Sequence, residues 1–401
     1  MEFELWWLTV IPLFFGLGWL AARIDARHLI RQSSKLPDAY FRGLNFLLNE
    51  QPDKAIDAFV DVVRLDPETV ELHFALGNLF RRRGETDRAI RVHQSLAGRS
   101  DLSPAQREHA LFELGQDFLR AGLLDRAEDA FNRLEATDHA AAALRHRLEL
   151  AQMVRDWPRA IDIAQGLRDD AAAPGIDRGG LLAHFHCELA QKALAGQGSP
   201  DDRRAQALRE LQHALDAAPA HPRPWLLRGE IAFDGDDFAG AIDAWEQVAR
   251  ISPAHLALTG ERWLEAHERV GRLDAGLDSL ERIQESHPSV DALRAVAQAR
   301  ARRDGAPAAL EWLRGVLARS PSLLGLEQLL ELRATIEADD PCAADTALTA
   351  SLIRHQSARL SRFVCGHCGF KARRFYWQCP GCHRWDSYPP RRTEALEAEG
   401  G

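Results

Sequence analysis

No glycine-rich phosphate loop, no nucleophile elbow around a serine and no HExxH-type helix occurs in this sequence. The usual sequence marks of a nucleotide-dependent enzyme, a serine hydrolase and a zinc peptidase are therefore missing, and nothing else in the chain has the look of a catalytic motif. Cysteine is scarce. There are six in 401 residues, and four of them fall within eighteen positions near the C-terminus. That distribution excludes a spread disulfide framework and points to a metal. The remaining two, Cys187 and Cys342, stand alone in helical sequence and read as buried thiols. Basic charge is lacking where nucleic acid would need it. The net charge is −9, yet residues 1–35 carry +1 and residues 352–401 carry +5, which leaves −15 on residues 36–351. An acidic body argues against binding to phosphate backbones. With 27% charged and 46% hydrophobic residues, the composition allows a large buried core and excludes global disorder.

One long uncharged run is present, LWWLTVIPLFFGLGWLAA from Leu5 to Ala22. As a helix it would extend roughly 27 Å, close to the hydrocarbon thickness of a bilayer. Trp6, Trp7 and Trp19 stand near its ends, where indole rings favour the interface. Glu2 and Glu4 precede it and Arg23, Arg27 and Arg31 follow. This order is the reverse of a cleaved signal peptide and sets the basic flank on the cytoplasmic side. Residues 1–22 are thus expected to be a single-pass transmembrane anchor, N-terminus outside, and residues 23–35 a basic juxtamembrane linker.

From residue 36 a unit of roughly 34 residues recurs. Counted from Leu36, small residues recur at unit positions 8 and 20: Gly43 and Ala55, Gly77 and Ala89, Gly115 and Ala127, Gly229 and Ala241. Aromatic residues recur at positions 11 and 24: Phe46 and Phe59, Phe80, Phe118 and Phe131, Trp245. Gly84 and Gly122 stand at position 15, and Pro219, Pro253, Pro288 and Pro321 close units 34, 35 and 33 residues apart. Small residues let two helices approach, aromatic residues fill the gap beside them, glycine turns the chain and proline ends the second helix. The unit resembles the tetratricopeptide repeat, which stacks into a superhelix that binds peptides or partner helices. The unit around Trp157, Pro158 and Ala160 is degenerate. Residues 197–202 read as a loop-rich insertion, and residues 171–180 as a linker between two blocks, 36–170 and 181–355. His184 and His186 lack a spacing that demands a metal and are expected to pack.

The sharpest chemical signal is Cys365-Gly-His-Cys368, ten intervening residues, then Cys379-Pro-Gly-Cys382. Two such turns bring four thiolates around one ion, iron or zinc, and leave no open position for a water. Gly369 is expected to take a positive φ and Pro380 to stiffen the second turn. A tail this short buries little core, so the metal would supply much of its folding energy. Phe370, Phe375, Tyr376, Trp377 and Trp385 are expected to pack around the knuckles or on the last repeat helices. The basic residues here, Arg354 to Arg384, suit the acidic repeats or an anionic membrane surface. The knuckle domain is drawn at 356–392 and a flexible tail at 393–401. The fold class is all-α: a repeat solenoid with an N-terminal transmembrane helix and a small metal knuckle domain.

Residues 183–190 and 368–382, with the layout of anchor, repeats and tetracysteine domain, resemble the lipopolysaccharide assembly protein B family over nearly the whole chain. The ten-residue separation is much shorter than in true rubredoxins. The resemblance implies a rubredoxin-like domain and a non-enzymatic regulator at the cell inner membrane. It implies an adaptor that works with an FtsH-type membrane protease to promote degradation of the lipid A deacetylase. It also implies contact with other lipopolysaccharide synthesis or transport proteins. The alternative in the same family is a non-proteolytic scaffold that gathers these enzymes. A redox protein built on iron and four cysteines, and a nucleic-acid-binding zinc ribbon, are the competing classes. The acidic body and the anchor argue against the latter. A homo-oligomer is compatible with the sequence.

Overall fold

The structure is a computed structural model. It describes residues 42–43, 45–46, 49, 51–65, 70–167, 177–336, 343–360 and 362–393. The expected anchor 1–22, the linker 23–35, Cys342 and the tail from residue 394 lie outside the described residues. Among the described residues no helix is long and apolar enough to cross a membrane.

The chain forms two compact units, Met1–Arg155 and Asp156–Gly401. The first contains α1 (Pro52–Leu65), α2 (Val70–Arg82), α3 (Thr86–Ala97), α4 (Pro104–Arg120), α5 (Leu124–Asn132) and α6 (Ala140–Met153). The second contains α7 (Trp157–Gly166), α8 (Arg178–Leu194), α9 (Pro200–Ala217), α10 (Pro222–Phe233), α11 (Phe238–Ile251), α12 (Pro253–Leu256), α13 (Gly260–Arg269), α14 (Leu273–Ser286), α15 (Val290–Asp304), α16 (Ala306–Arg319), α17 (Leu323–Ile336) and α18 (Ala343–Leu360). Strands β1 (Phe363–Val364) and β2 (Lys371–Ala372) follow. Within each unit neighbouring helices pack on one another, as α2 with α3, α8 with α9 and α10 with α11.

The repeat logic is visible in the packing. Each position-8 glycine meets the position-24 ring sixteen residues on. A Cβ on Gly43 would stand 2.6 Å from the Phe59 ring and one on Gly115 would stand 2.7 Å from Phe131. The approach is closer still at Gly77 with His93 and Gly229 with Trp245. The ring lies where a side chain on the facing helix would be, which lets the helix backbones close up. In the second repeat the ring is an imidazole. His93 is fully buried, and its Nδ1 lies 2.5 Å from Asp117 Oδ2. Asp117 also takes Arg81 at 2.9 Å, so a charged network fills that part of the first unit.

The helix ends follow from the chain chemistry. Helices α9, α11, α14 and α16 each stop two residues before Pro219, Pro253, Pro288 and Pro321. Gly84 and Gly122 turn the chain at φ +82° and +73°. Asp236 makes the equivalent turn without glycine, at φ +63°. Two loop expectations are corrected. Within 197–202, Ser199 accepts a hydrogen bond from Asp202 N–H and Pro200 opens α9, so Pro200–Asp202 form a first helical turn. Ser-Pro-Asp-Asp is a cap, an N1 proline and two carboxylates suited to a helix N-terminus. Of 171–180, residues 171–176 lie outside the described residues, and Arg178–Gly180 already belong to α8. The break between compact units falls upstream, at Arg155 and Asp156. The degenerate unit holds a regular helix, α7, with Asp156 accepting from Arg159 N–H and Trp157 buried.

Candidate metal centre

Strands β1 and β2 pair antiparallel, Phe363 opposite Ala372 and Val364 opposite Lys371, and hold the first knuckle as their loop. Both knuckles are built alike. Cys365 N–H donates to Phe370 O at 3.0 Å and Cys379 N–H to Arg384 O at 2.9 Å. Gly369 N–H donates to Cys365 O and His383 N–H to Cys379 O. His367 N–H and Gly381 N–H point at Cys365 Sγ and Cys379 Sγ, each at 3.4 Å. These donors disperse thiolate charge. The residue after each second cysteine is left-handed, Gly369 at φ +73° as expected and His383 at φ +57°. Histidine takes in the second knuckle the conformation that glycine takes in the first.

The four sulfurs converge. Cys365 and Cys382 Sγ are 3.8 Å apart, Cys368 and Cys379 Sγ 3.6 Å, and all four lie within 4.8 Å of one another. A tetrahedron with metal–sulfur bonds of about 2.3 Å has edges of about 3.8 Å, so the donor set fits one tetrathiolate ion. Burial raises the Cys365 thiol, but donors from Ser387, Cys368 and His367 outweigh it and bring it down to about 6. Burial pushes Cys382 up to about 12, so an ion is needed to hold all four as thiolates. Cys365 and Cys379 are buried and Cys368 is exposed, so one corner of the site meets solvent. Tyr388 O–H donates to Phe370 O and its oxygen lies 3.8 Å from Cys379 Sγ.

The ribbon is seated on repeat helices of its own unit. Trp385 stacks on His184 of α8 at 4.3 Å between centroids and meets Trp157 of α7 edge-on. Trp377 stacks on His255 of α12 at 5.1 Å and 5°. Arg223 of α10 lies over both indoles, 5.7 Å from Trp377 and 5.6 Å from Trp385. The same guanidinium donates to Glu188 at 2.6 Å, Gln191 at 3.1 Å and His184 Nδ1 at 3.2 Å. Since Arg223 has donors only, His184 Nδ1 is the acceptor and its Nε2–H faces Asp386 Oδ2 at 2.9 Å. His221 Nε2 lies 3.5 Å from the same oxygen. Farther along, Arg392 binds both oxygens of Asp291 on α15.

Burial drives His184 down to about 4, against the pull of Asp386. Burial likewise takes His255 down to about 4. Partial burial works against ionisation of Asp386, but the hydrogen bonds from His184 and His221 outweigh it and hold the carboxyl well below its ordinary range. A cleft of about 620 Å³ opens beside the seat, walled by Leu226, Glu230, Arg262, Phe375 and Trp377.

All four predicted cysteines meet at one point. His184 packs, as expected, and does so against the ribbon. Of the two places expected for the tail aromatics, around the knuckles and on the last repeat helices, the second needs correction. Trp377 and Trp385 reach α7, α8, α10 and α12, because Arg223 and the buried imidazoles there offer flat cationic and aromatic faces. Tyr376 stays within the ribbon against Tyr388, and Phe375 packs on Phe363 while meeting His255 of α12 edge-on. Sequence reading missed His221, Arg223, His255 and Asp386, which no local spacing links to the cysteines. Of the basic residues, Arg354 pairs with Glu327 and Glu331 of α17, in line with complementarity to the acidic repeats.

Stacked helix hairpins carrying a four-cysteine ribbon define a helical-repeat protein with a tetrathiolate-type metal site. The family model for the rubredoxin metal binding domain matches residues 363–389, and that for the tetratricopeptide repeat matches 42–104 and 201–255. The chain is 33% identical over 387 residues to lipopolysaccharide assembly protein B of Escherichia coli K12, covering 96% of this chain and 97% of that protein. It is 30% identical to the protein of that name from Haemophilus influenzae, covering 95% and 96%. Among solved structures it is similar to the C-terminal part of a tetratricopeptide-repeat protein from Cytophaga hutchinsonii, at 13% identity and TM-score 0.39, over 64% of this chain and 99% of that one. The chain belongs to the lipopolysaccharide assembly protein B family, and its role lies in lipopolysaccharide assembly.

Proposed function

We propose that this protein is an inner-membrane adaptor that limits lipid A synthesis by promoting FtsH-dependent proteolysis of the lipid A deacetylase. Residues 1–22 anchor it with the N-terminus on the periplasmic side, and the repeats and ribbon work on the cytoplasmic side. Confinement to the plane that holds the protease raises their effective mutual concentration without any added contact. The observation that carries the reading is the seat of the ribbon. Trp377, Trp385 and Asp386 lock the metal knuckle to α8, α10 and α12, so one rigid piece presents both a metal domain and a repeat surface. Such a piece can hold a substrate on the repeats while its anchor meets the protease. It acts by binding and has no chemistry of its own. Zinc fits the short ribbon and the structural seat. Iron would serve the same fold.

The test is the half-life of the lipid A deacetylase in cells depleted of this protein. A half-life that lengthens on depletion and shortens again on re-expression supports the adaptor. An unchanged half-life overturns it and leaves a scaffold that gathers lipopolysaccharide enzymes without directing proteolysis.

A further inference from the structure

Carboxylates in the second unit are commonly met by arginine: Glu188 by Arg223, Glu261 by Arg294, Glu281 by Arg300, Asp291 by Arg392. Glu210 is met instead by two imidazoles. His186 Nδ1 lies 2.9 Å from its Oε2, and His213 Nδ1 lies 3.8 Å from the same oxygen. No lysine or arginine pairs with Glu210 among the described residues. Two imidazoles and a partly buried carboxylate therefore converge, with no ammonium or guanidinium between them. The two rings meet edge to face, 5.3 Å between centroids.

We infer that His186, Glu210 and His213 form a second metal site, separate from the cysteines, for a divalent ion of the zinc or nickel class. Glu210 and His213 are three residues apart on α9, which puts them on one helix face. His186 comes from the adjoining α8. The three donor atoms lie within 4.8 Å of one another. Metal–nitrogen and metal–oxygen bonds of about 2.0–2.1 Å give tetrahedral edges of about 3.4 Å, and the two measured separations bracket that value. Two imidazoles and one carboxylate suit borderline ions, and the exposed side of His213 leaves a fourth position to water. The ion would sit between His186 and Glu210, where protons compete with it for the imidazole nitrogens, so binding weakens on acidification. It would tie α8 to α9, and α8 is the helix whose His184 holds the ribbon.

The test uses untagged full-length protein whose cysteine site has first been filled with Zn²⁺. Isothermal titration with further Zn²⁺ should show one additional equivalent. That equivalent should be lost in His213→Asn, His186→Asn and Glu210→Gln. His213 is exposed, so His213→Asn should unfold at the wild-type temperature without added Zn²⁺ and lack the rise that Zn²⁺ gives the wild type. No additional equivalent in the wild type overturns the site. An additional equivalent that survives all three substitutions also overturns it and places the ion elsewhere, with His184, His221 and Asp386 as the other cluster of suitable donors.

Discussion

His184 donates its Nε2–H to Asp386 at 2.9 Å across 202 positions of sequence. The contact joins a repeat helix to the residue that follows Trp385, and Arg223 fixes the tautomer that makes it possible. Docking of the ribbon therefore depends on a neutral histidine, a charged aspartate and a buried arginine acting together.

Asp386→Asn should loosen the ribbon without unfolding the repeats. Asparagine tolerates the left-handed conformation found here, φ +50°, but removes the charge that His184 and His221 face. A loss of about 1.5–3 kcal/mol of docking stability is expected, typical of a hydrogen bond to a charged group. Faster amide exchange across residues 363–389 with unchanged exchange in α13–α16 would show it.

Acid should undo the same seat. His184 sits near 4 when folded and near 6.5 when free, so between those pH values the unfolded chain binds more protons. Stability then falls as pH is lowered from 6.5 towards 4, by an amount of the order of 3 kcal/mol for His184. His255, depressed by burial to the same level, adds to the loss in the same window. Asp386 is lowered as well, so its contribution fails only below its ordinary 3.8. Thermal unfolding followed by tryptophan fluorescence from pH 7 to 4 should show the decline, and His184→Asn should flatten it.

Arg223→Met should cost about 3 kcal/mol, because Glu188 and Gln191 lose their shared donor and two indoles lose their cation. Lysine should restore little, since one ammonium cannot reproduce a planar fork that donates to three side chains and lies over two rings. Urea titration of the three proteins gives the comparison.

Glycine substitutions should part by location. Gly229→Ala drives a methyl group into the Trp245 ring and should destabilise by about 1–3 kcal/mol. Gly315→Ala lies on an open face in the middle of α16 and should stabilise by about 0.5–1 kcal/mol. Opposite shifts in unfolding temperature would confirm that position 8 is a packing position.

Removing the metal should unfold the ribbon alone. Its buried core is small: Phe363, Cys365, Ala372, Cys379 and Tyr388. Chelation or Cys379→Ser should release Trp377 and Trp385 to solvent, seen as a red shift in their emission, while helical circular dichroism changes little. Cooperative loss of the repeats with the ribbon would contradict this.

What the sequence alone determined is local. Four cysteines in two CxxC turns specify a tetrathiolate because each turn needs only its own few residues. The 34-residue period specifies helix pairs because small and aromatic residues must recur wherever neighbours pack in the same way. The stops of α9, α11, α14 and α16 were legible because proline acts on the turn just before it. Other features were decided only by the tertiary structure. His93 fills an aromatic position because Asp117, 24 residues on, takes its Nδ1. Trp377 and Trp385 lie on α8, α10 and α12 because Arg223, His184 and His255, far away in sequence, together make a surface that neither segment displays alone. Contacts of this kind depend on complementary shape and charge between distant segments, and no spacing along the chain encodes them.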